Sequence, residues 1–205
     1  MMLKNKKFYS YFLLCLTLLF TSVLQAQSSP QSVLQGIADH MIAGLKSNKA
    51  TLKTKPQVVY NLAYKYIVPY ADLEAMSKRV ISPSIWNSAT PEQRKQFQHE
   101  FTTTLIRTYA SALTSYRDQT IRIFPTRSAG GKTVEVNSEI VSSETQPIRV
   151  TYRMINSGGQ WKLYDMSIEG VSMLESFRSQ FADILAQGNM NQLLNRMSGH
   201  NQGRS

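Results

Sequence analysis

Residues 161–173 read WKLYDMSIEGVSM, and where this stretch divides decides the fold. Its first half alternates like a β-strand, Gly170 interrupts the pattern, and Ser172 stands three residues before Glu175, ahead of the apolar run MLESFRSQFADIL. A serine followed three residues later by an acid is a capping box, which satisfies free N–H groups in the first turn of a helix. The stretch therefore ends a strand and opens a helix. Its polar residues fail as a catalytic set. A strand rises about 3.3 Å per residue, which places Asp165 and Glu169 on one face but roughly 13 Å apart. Carboxylates sharing one scissile bond stand about 5–9.5 Å apart, so only a sharp bend or bulge would restore an acid pair. GVSML also lacks the second glycine of a G-x-S-x-G nucleophile elbow, which leaves Ser172 to the cap.

Before this stretch lie three more strand patterns, QTIRIFPT, KTVEVNSEIVSS and PIRVTYRMINS, separated from one another and from QWKLYDMSIEG by SAGG, ETQ and GG. Long alternating runs joined by short turn signals read as an antiparallel meander of four strands, with the Gly130–Gly131 pair as a hairpin turn. In the third run Ile148, Val150, Tyr152 and Met154 face one way and Arg149, Thr151 and Arg153 the other, giving one dry and one wet face.

The first half of the chain reads as helices. Val58, Val59, Leu62, Ala63, Tyr66 and Ile67 fall at helical spacing, Pro69 breaks the pattern, and YADLEAMSKRVI resumes it. A long helix starts at Thr90 as N-cap, with Pro91 at its first position and Gln93 completing a capping box. Its stripe is Phe97, Phe101, Leu105, Tyr109, Ala112 and Tyr116, widened by Ile106, Ala110 and Leu113. That is more apolar width than a surface helix needs. The chain closes with a helix over 172–186 and a weaker one around MNQLLNRM. The predicted fold class is α+β, a long curved four-stranded antiparallel sheet covered by helices, coiling towards a cone around its dry face.

The chain of 205 residues opens with Lys4, Lys6 and Lys7, about 13 apolar residues from Phe8 to Phe20, then VLQA. This is the shape of a secretory signal peptide over 1–26, too short for the roughly 20 residues of a membrane span. The lone cysteine, Cys15, falls inside it, so the mature chain folds without disulfides. Residues 27–197 then form a single domain and 198–205 a flexible polar tail. Removing the three lysines takes the 23 basic residues to 20 against 13 acidic ones, a net charge of about +7. The charge is scattered, which argues against nucleic acid and for solubility, or for weak attraction to anionic lipid head groups. His40, His99 and His200 are too dispersed in sequence to suggest a metal site or a triad.

Several runs together resemble the MlaC family of periplasmic phospholipid-binding proteins, also called toluene tolerance proteins. They are WKLYDMSIEGVSM with Arg178 beyond it, the spaced set Trp86, Ser88, Pro91, Gln93, Arg94 and Phe97, and TYASAL at 108–113. The resemblance covers roughly residues 58–194. It implies an NTF2-like fold with added helices, enclosing an apolar cavity that holds acyl tails. It also implies a shuttle carrying glycerophospholipid between an outer-membrane lipoprotein–porin complex and an inner-membrane ABC transporter bearing an MCE-domain ring. The implied role is maintenance of outer-membrane lipid asymmetry, with bound phospholipid as cargo. The residues themselves point to no cofactor and no catalytic residue, and a monomer is the expected state, with other oligomeric states left open.

With this resemblance the apolar stripes become candidate cavity walls: Leu73, Met76, Tyr109, Leu113, Val136, Ile140, Val150, Tyr152, Met154, Tyr164, Met166, Val171, Leu174 and Phe177. Periodicity alone makes each a core residue. Asp165, Glu169 and Ser172 are expected to tie the last strand to the last helix, with Arg178 paired to one of those acids in preference to a lipid phosphate. Two other readings of the same cone stay open, an NTF2-like enzyme acting on a small apolar substrate and a periplasmic carrier or chaperone of lipoproteins.

Overall fold

The structure, a computed structural model, describes residues 28–126, 131–187 and 189–203. The signal segment over 1–26, Cys15 within it, and Gly130 lie outside the described residues. Among the described residues five helices come first. Helix α1 (Pro30–Ser47) starts at Ser29, whose hydroxyl accepts the Ser32 N–H. Helix α2 (Gln57–Tyr66) gives way to a 3₁₀ turn (Val68–Tyr70) that holds Pro69. Proline cannot donate the next helical bond, so the chain turns and restarts as α3 (Leu73–Val80), capped by the Asp72 carboxylate on the Ala75 N–H. Helix α4 (Pro83–Ser88) is short, and α5 (Pro91–Thr114) carries the full Thr90/Gln93 capping box.

The spaced set around Trp86 has a structural role. Arg94 reaches back from α5, donates to the carbonyls of Trp86 and Asn87 at 3.0 Å each, and lies 5.5 Å from the Trp86 ring centroid. It thereby satisfies carbonyls freed at the end of α4. The Trp86 ring meets Phe97 edge-on at 6.4 Å. Along α5 the buried line departs from the expected stripe, since Ala110 is buried and Ala112 exposed. Successive steps of four residues drift about 40° around an α-helix, so a stripe read at that spacing leaves the core-facing side after a few turns.

The sheet has five antiparallel strands in sequence order: β1 (Thr120–Ile123), β2 (Thr133–Val141), β3 (Ile148–Ser157), β4 (Gln160–Ile168) and β5 (Val171–Ser172). Four match the expected meander. The fifth, at two residues, is too short to leave an alternating pattern and adds an edge to the expected four-stranded sheet. Cross-strand pairs share a face, so Val136, Tyr152 and Met166 form one row on the dry side, and Val134, Met154 and Leu163 another. Between these rows β4 carries a bulge. Arg153 pairs with Asp165 and Met154 with Leu163, leaving Tyr164 as the extra residue. Beyond the reach of β5, the edge of β4 is met by Ala71, which bridges Leu163, and by the Asp72 N–H, which donates to the Leu163 carbonyl at 2.8 Å.

Helices α6 (Met173–Gln187) and α7 (Met190–Asn201) complete the chain. Helix α7 runs through 198–201, residues expected in the flexible tail. Asn201 holds it there: its amide donates to the Glu100 carboxylate at 2.6 Å and to the Glu100 carbonyl at 3.0 Å, while Arg107 donates to the Asn201 carbonyl at 3.0 Å.

Among the described residues the apolar interior divides into three clusters. One joins α3 to α7 around Phe97, Phe101, Phe177, Phe181, Leu193 and Met197; a second gathers Leu45, Leu52, Val59, Ala110 and Tyr116; a third packs Leu34 of α1 on Val136 and Met154.

Candidate functional site

Eleven of the fourteen candidate wall residues belong to these clusters or pack against them. Met76, Leu174 and Phe177 are buried in the first, with Leu73, Tyr109, Tyr164 and Met166 packed against it. Leu113 packs against the second; Val136, Met154 and Tyr152 belong to the third. Val150 is buried on the dry face opposite Ser138, and Ile140 is half-buried further along β2. Val171 departs from expectation, being 64% exposed. The two-residue turn before it has both Glu169 (φ 48°) and Gly170 (φ 83°) in the left-handed region, and the tight β4–β5 hairpin leaves Val171 outside the apolar interior. Leu163, which was not among the candidates, belongs to the dry-face row of Met154, and the bulge hid it from period-two reading.

Polar groups are few on the dry face. Burial pushes the Tyr152 phenol above its ordinary pKa, and a hydrogen bond with Ser138 offsets part of that rise. Tyr109 is raised too, first by burial and then by the nearby Asp165 carboxylate.

Asp165 is the polar centre of the molecule at 4% exposure. One carboxylate oxygen accepts from the Met166 N–H at 2.8 Å and the Leu174 N–H at 3.2 Å; the other accepts from the Arg153 guanidinium and the Ser172 hydroxyl, both at 2.8 Å. Ser172 in turn accepts the Glu175 N–H at 3.2 Å. Half of the expected capping box thus forms, and Asp165 takes over the rest of the α6 start. The bulge precedes Asp165 and so brings no second acid to it.

Glu169 belongs to a separate contact. Its carboxylate accepts the Arg149 N–H at 2.5 Å and the Arg149 guanidinium at 3.3 Å, which ties the β4–β5 turn to β3 instead of to α6. Those two bonds, the backbone one first, hold the Glu169 carboxyl below the usual carboxylate range. A lowered pKa means that this support is present at neutral pH and is lost as pH falls through the lowered value. Arg178, expected beside one of these acids, has no carboxylate partner among the described residues: Arg153 occupies Asp165 and Arg149 occupies Glu169.

Open volume lies in clefts at the helical side. One of about 1190 Å³ runs between α5, α6 and α7, where Phe177, Phe181, Ile184 and Met197 meet the polar rim of Gln180, Asn195 and His200. A second, of about 560 Å³, is lined by Leu73, Lys78, Arg79 and Lys162 among others. A third, of about 420 Å³, lies between α3 and the start of α6 and includes Tyr164, Leu174 and Arg178. None carried a signal in the sequence, because each is assembled from side chains distant along the chain. Among the described residues no group of three or more His, Cys, Asp or Glu could hold a metal ion. His40 is occupied by stacking on Tyr66 at 5.0 Å and by the Gly36 carbonyl. No described helix is long and apolar enough to cross a membrane.

These features can be set beside known proteins. The chain is 31% identical to the toluene tolerance protein Ttg2D of Pseudomonas putida over 187 residues, covering 91% of this chain and 86% of the relative. It is 29% identical over 201 residues to the intermembrane phospholipid transport system binding protein MlaC of Haemophilus influenzae, covering 96% and 94%. Its fold matches a phospholipid-binding protein from Ralstonia solanacearum, solved in complex with a phospholipid, at a TM-score of 0.79 and 31% identity, covering 86% of this chain and 99% of that one. The family model for the MlaC protein spans residues 35–199, from within α1 to within α7, and the chain therefore belongs to the MlaC family.

Proposed function

We propose that this chain is a periplasmic phospholipid carrier, holding acyl tails in its apolar interior. It shuttles lipid between an outer-membrane lipoprotein–porin complex and an inner-membrane ABC transporter with an MCE-domain ring, and so maintains outer-membrane lipid asymmetry. The observation that carries this reading is the likeness to a protein solved with a phospholipid bound. The interior supports it, since apolar side chains at the margins of the three clusters, such as Tyr109, Leu113, Tyr152 and Met166, are only partly covered. Methionine and aromatic side chains suit an interior that repacks around varied tails. No cofactor and no catalytic step belong to this function, and the carrier acts as a monomer.

The energetics define what partners must do. Burying about 30 methylenes of two acyl chains is worth on the order of 24 kcal/mol against water, so escape into water is negligible. Against a bilayer the gain is close to zero, because lipid tails are as apolar as the protein interior. Direction must therefore come from partners that stabilise an open or a closed form.

The test is native mass spectrometry of the mature protein, residues 27–205, purified without detergent, before and after solvent extraction. Phospholipid adducts that extraction removes are the expected result; an apo mass that gains nothing from added liposomes overturns the proposal. Leu113→Trp, which adds bulk at a half-buried margin, is expected to fold and to reduce the lipid-bound fraction by about half or more, since an overfilled site cannot take the same cargo. An unchanged fraction removes Leu113 from the wall.

A further inference from the structure

We propose that the cleft between α3 and the start of α6 binds the phosphate of an amphiphile whose apolar part enters the interior beside it. This deepens the carrier reading and rests on it. The cleft is lined by Lys78, Arg79, Arg153 and Arg178 against two carboxylates, Asp165 and Glu175. Pairing leaves two guanidinium groups, Arg79 and Arg178, and one carboxylate, Glu175, without an ion partner among the described residues. Asp165 is saturated by its four donors, and Arg153 is shared between Asp165 at 2.8 Å and Glu135 at 2.9 Å. Lys78 meets Glu74 at 2.5 Å. Arg79 and Arg178 have no carboxylate partner among the described residues.

Arg79 is also preorganised. Its guanidinium lies 4.1 Å from the centroid of the Tyr164 ring, and Nη1 donates to the Ala75 carbonyl at 2.9 Å. The ring contact and the carbonyl bond hold the guanidinium in position and leave its remaining N–H groups for an oxyanion, which arginine's fork takes better than lysine does. The β4 bulge is what presents that ring, because Tyr164 is the residue it inserts. Beneath the charges lies an apolar floor: Ile81 and Leu174 are buried members of the helical cluster, and Tyr164 packs against it. Cations over an apolar floor that continues into the core fit a phosphate ester attached to a hydrocarbon. The volume of about 420 Å³ falls within the range of small-molecule sites, about 300–1,000 Å³.

The experiment is calorimetric titration of the delipidated protein with three probes: dihexanoyl phosphatidylglycerol, dihexanoylglycerol, which lacks the phosphate, and inorganic phosphate. Arg79→Gln combined with Arg178→Gln is expected to weaken phosphatidylglycerol binding about tenfold to a hundredfold and leave dihexanoylglycerol unchanged. Arg178→Gln alone breaks no described ion pair and is expected to weaken it several-fold with an unaltered melting temperature. Glu175→Gln, which removes a carboxylate from the rim, is expected to tighten it. Wild-type affinity in a double variant that melts like wild type overturns the site. A wild type that binds dihexanoylglycerol as tightly as phosphatidylglycerol also overturns it, while the carrier function stands. Inorganic phosphate held by the same two arginines supports the site and makes the free anion sufficient for recognition. If that occurs with neither lipid taken up, the arginines hold a free anion only, and both the amphiphile site and the carrier reading fall; if no probe binds, both fall as well.

Discussion

Asp165→Ala is expected to cost the fold about 3–5 kcal/mol, a large share of the roughly 5–15 kcal/mol that holds an ordinary domain together. The substitution leaves the Ser172 hydroxyl and the Leu174 N–H without their acceptor at a buried position, and Arg153 keeps only Glu135. Each abandoned buried donor costs about 1–3 kcal/mol, and the partial exposure of Arg153 limits its share. Asp165→Asn retains an acceptor oxygen but loses the charge, so an intermediate loss is expected. Urea unfolding checks both: the midpoints should fall in the order wild type, Asn, Ala, with an unchanged slope. An alanine variant within 1 kcal/mol of wild type would show that Asp165 does not hold α6 to the sheet.

The second large effect is expected from Phe101→Ala, at about 3–5 kcal/mol. Phe101 stacks on Phe97 at 5.5 Å and meets Phe177 and Phe181 edge-on at 5.4 and 6.0 Å, so one ring joins α5 to both aromatic turns of α6. The site is 1% exposed and surrounded by rings that cannot collapse into the space without leaving their own contacts. A fall in melting temperature of about 10 °C is expected, measured on lipid-free protein so that bound cargo does not mask it. Phe101→Leu, which refills most of the volume, should recover more than half of that fall. A drop of only 2 or 3 °C for the alanine variant would mean that this cluster repacks freely.

How far the sequence could be read depended on the range of each interaction. Thr90, Pro91 and Gln93 announced the start of α5 because a cap is a local exchange of hydrogen bonds, and four of the five strands were legible because alternation repeats within each of them. The Ser172–Glu175 box was only half right: Ser172 accepts the Glu175 N–H, while Asp165, several residues back, takes the Leu174 N–H and the Ser172 hydroxyl. Arg178 was assigned to an acid by proximity in sequence, whereas the sheet register gives those acids to Arg149 and Arg153. The wall residues were legible as apolar, but their division among three clusters depends on which helices pack on which strands, α1 on β1 and β2 and α6 on β4. Tyr164 shows the limit most clearly: one inserted residue hands the alternation from Leu163 to Met166 and shifts the reading of every side chain before it.

The segment that meets the edge of β4 also bears on aggregation. Long strands with open edges recruit other copies of themselves, and β4 is covered by β5 only at Ser167 and Ile168. The Ala71–Asp72 segment occupies the Leu163 carbonyl part-way along the rest, so the uncovered backbone is broken into pieces too short to template a strand. Two copies at high concentration are thereby denied edge-to-edge pairing or strand exchange on this side. Any protein that docks here must read side chains, because strand addition has no continuous edge to extend.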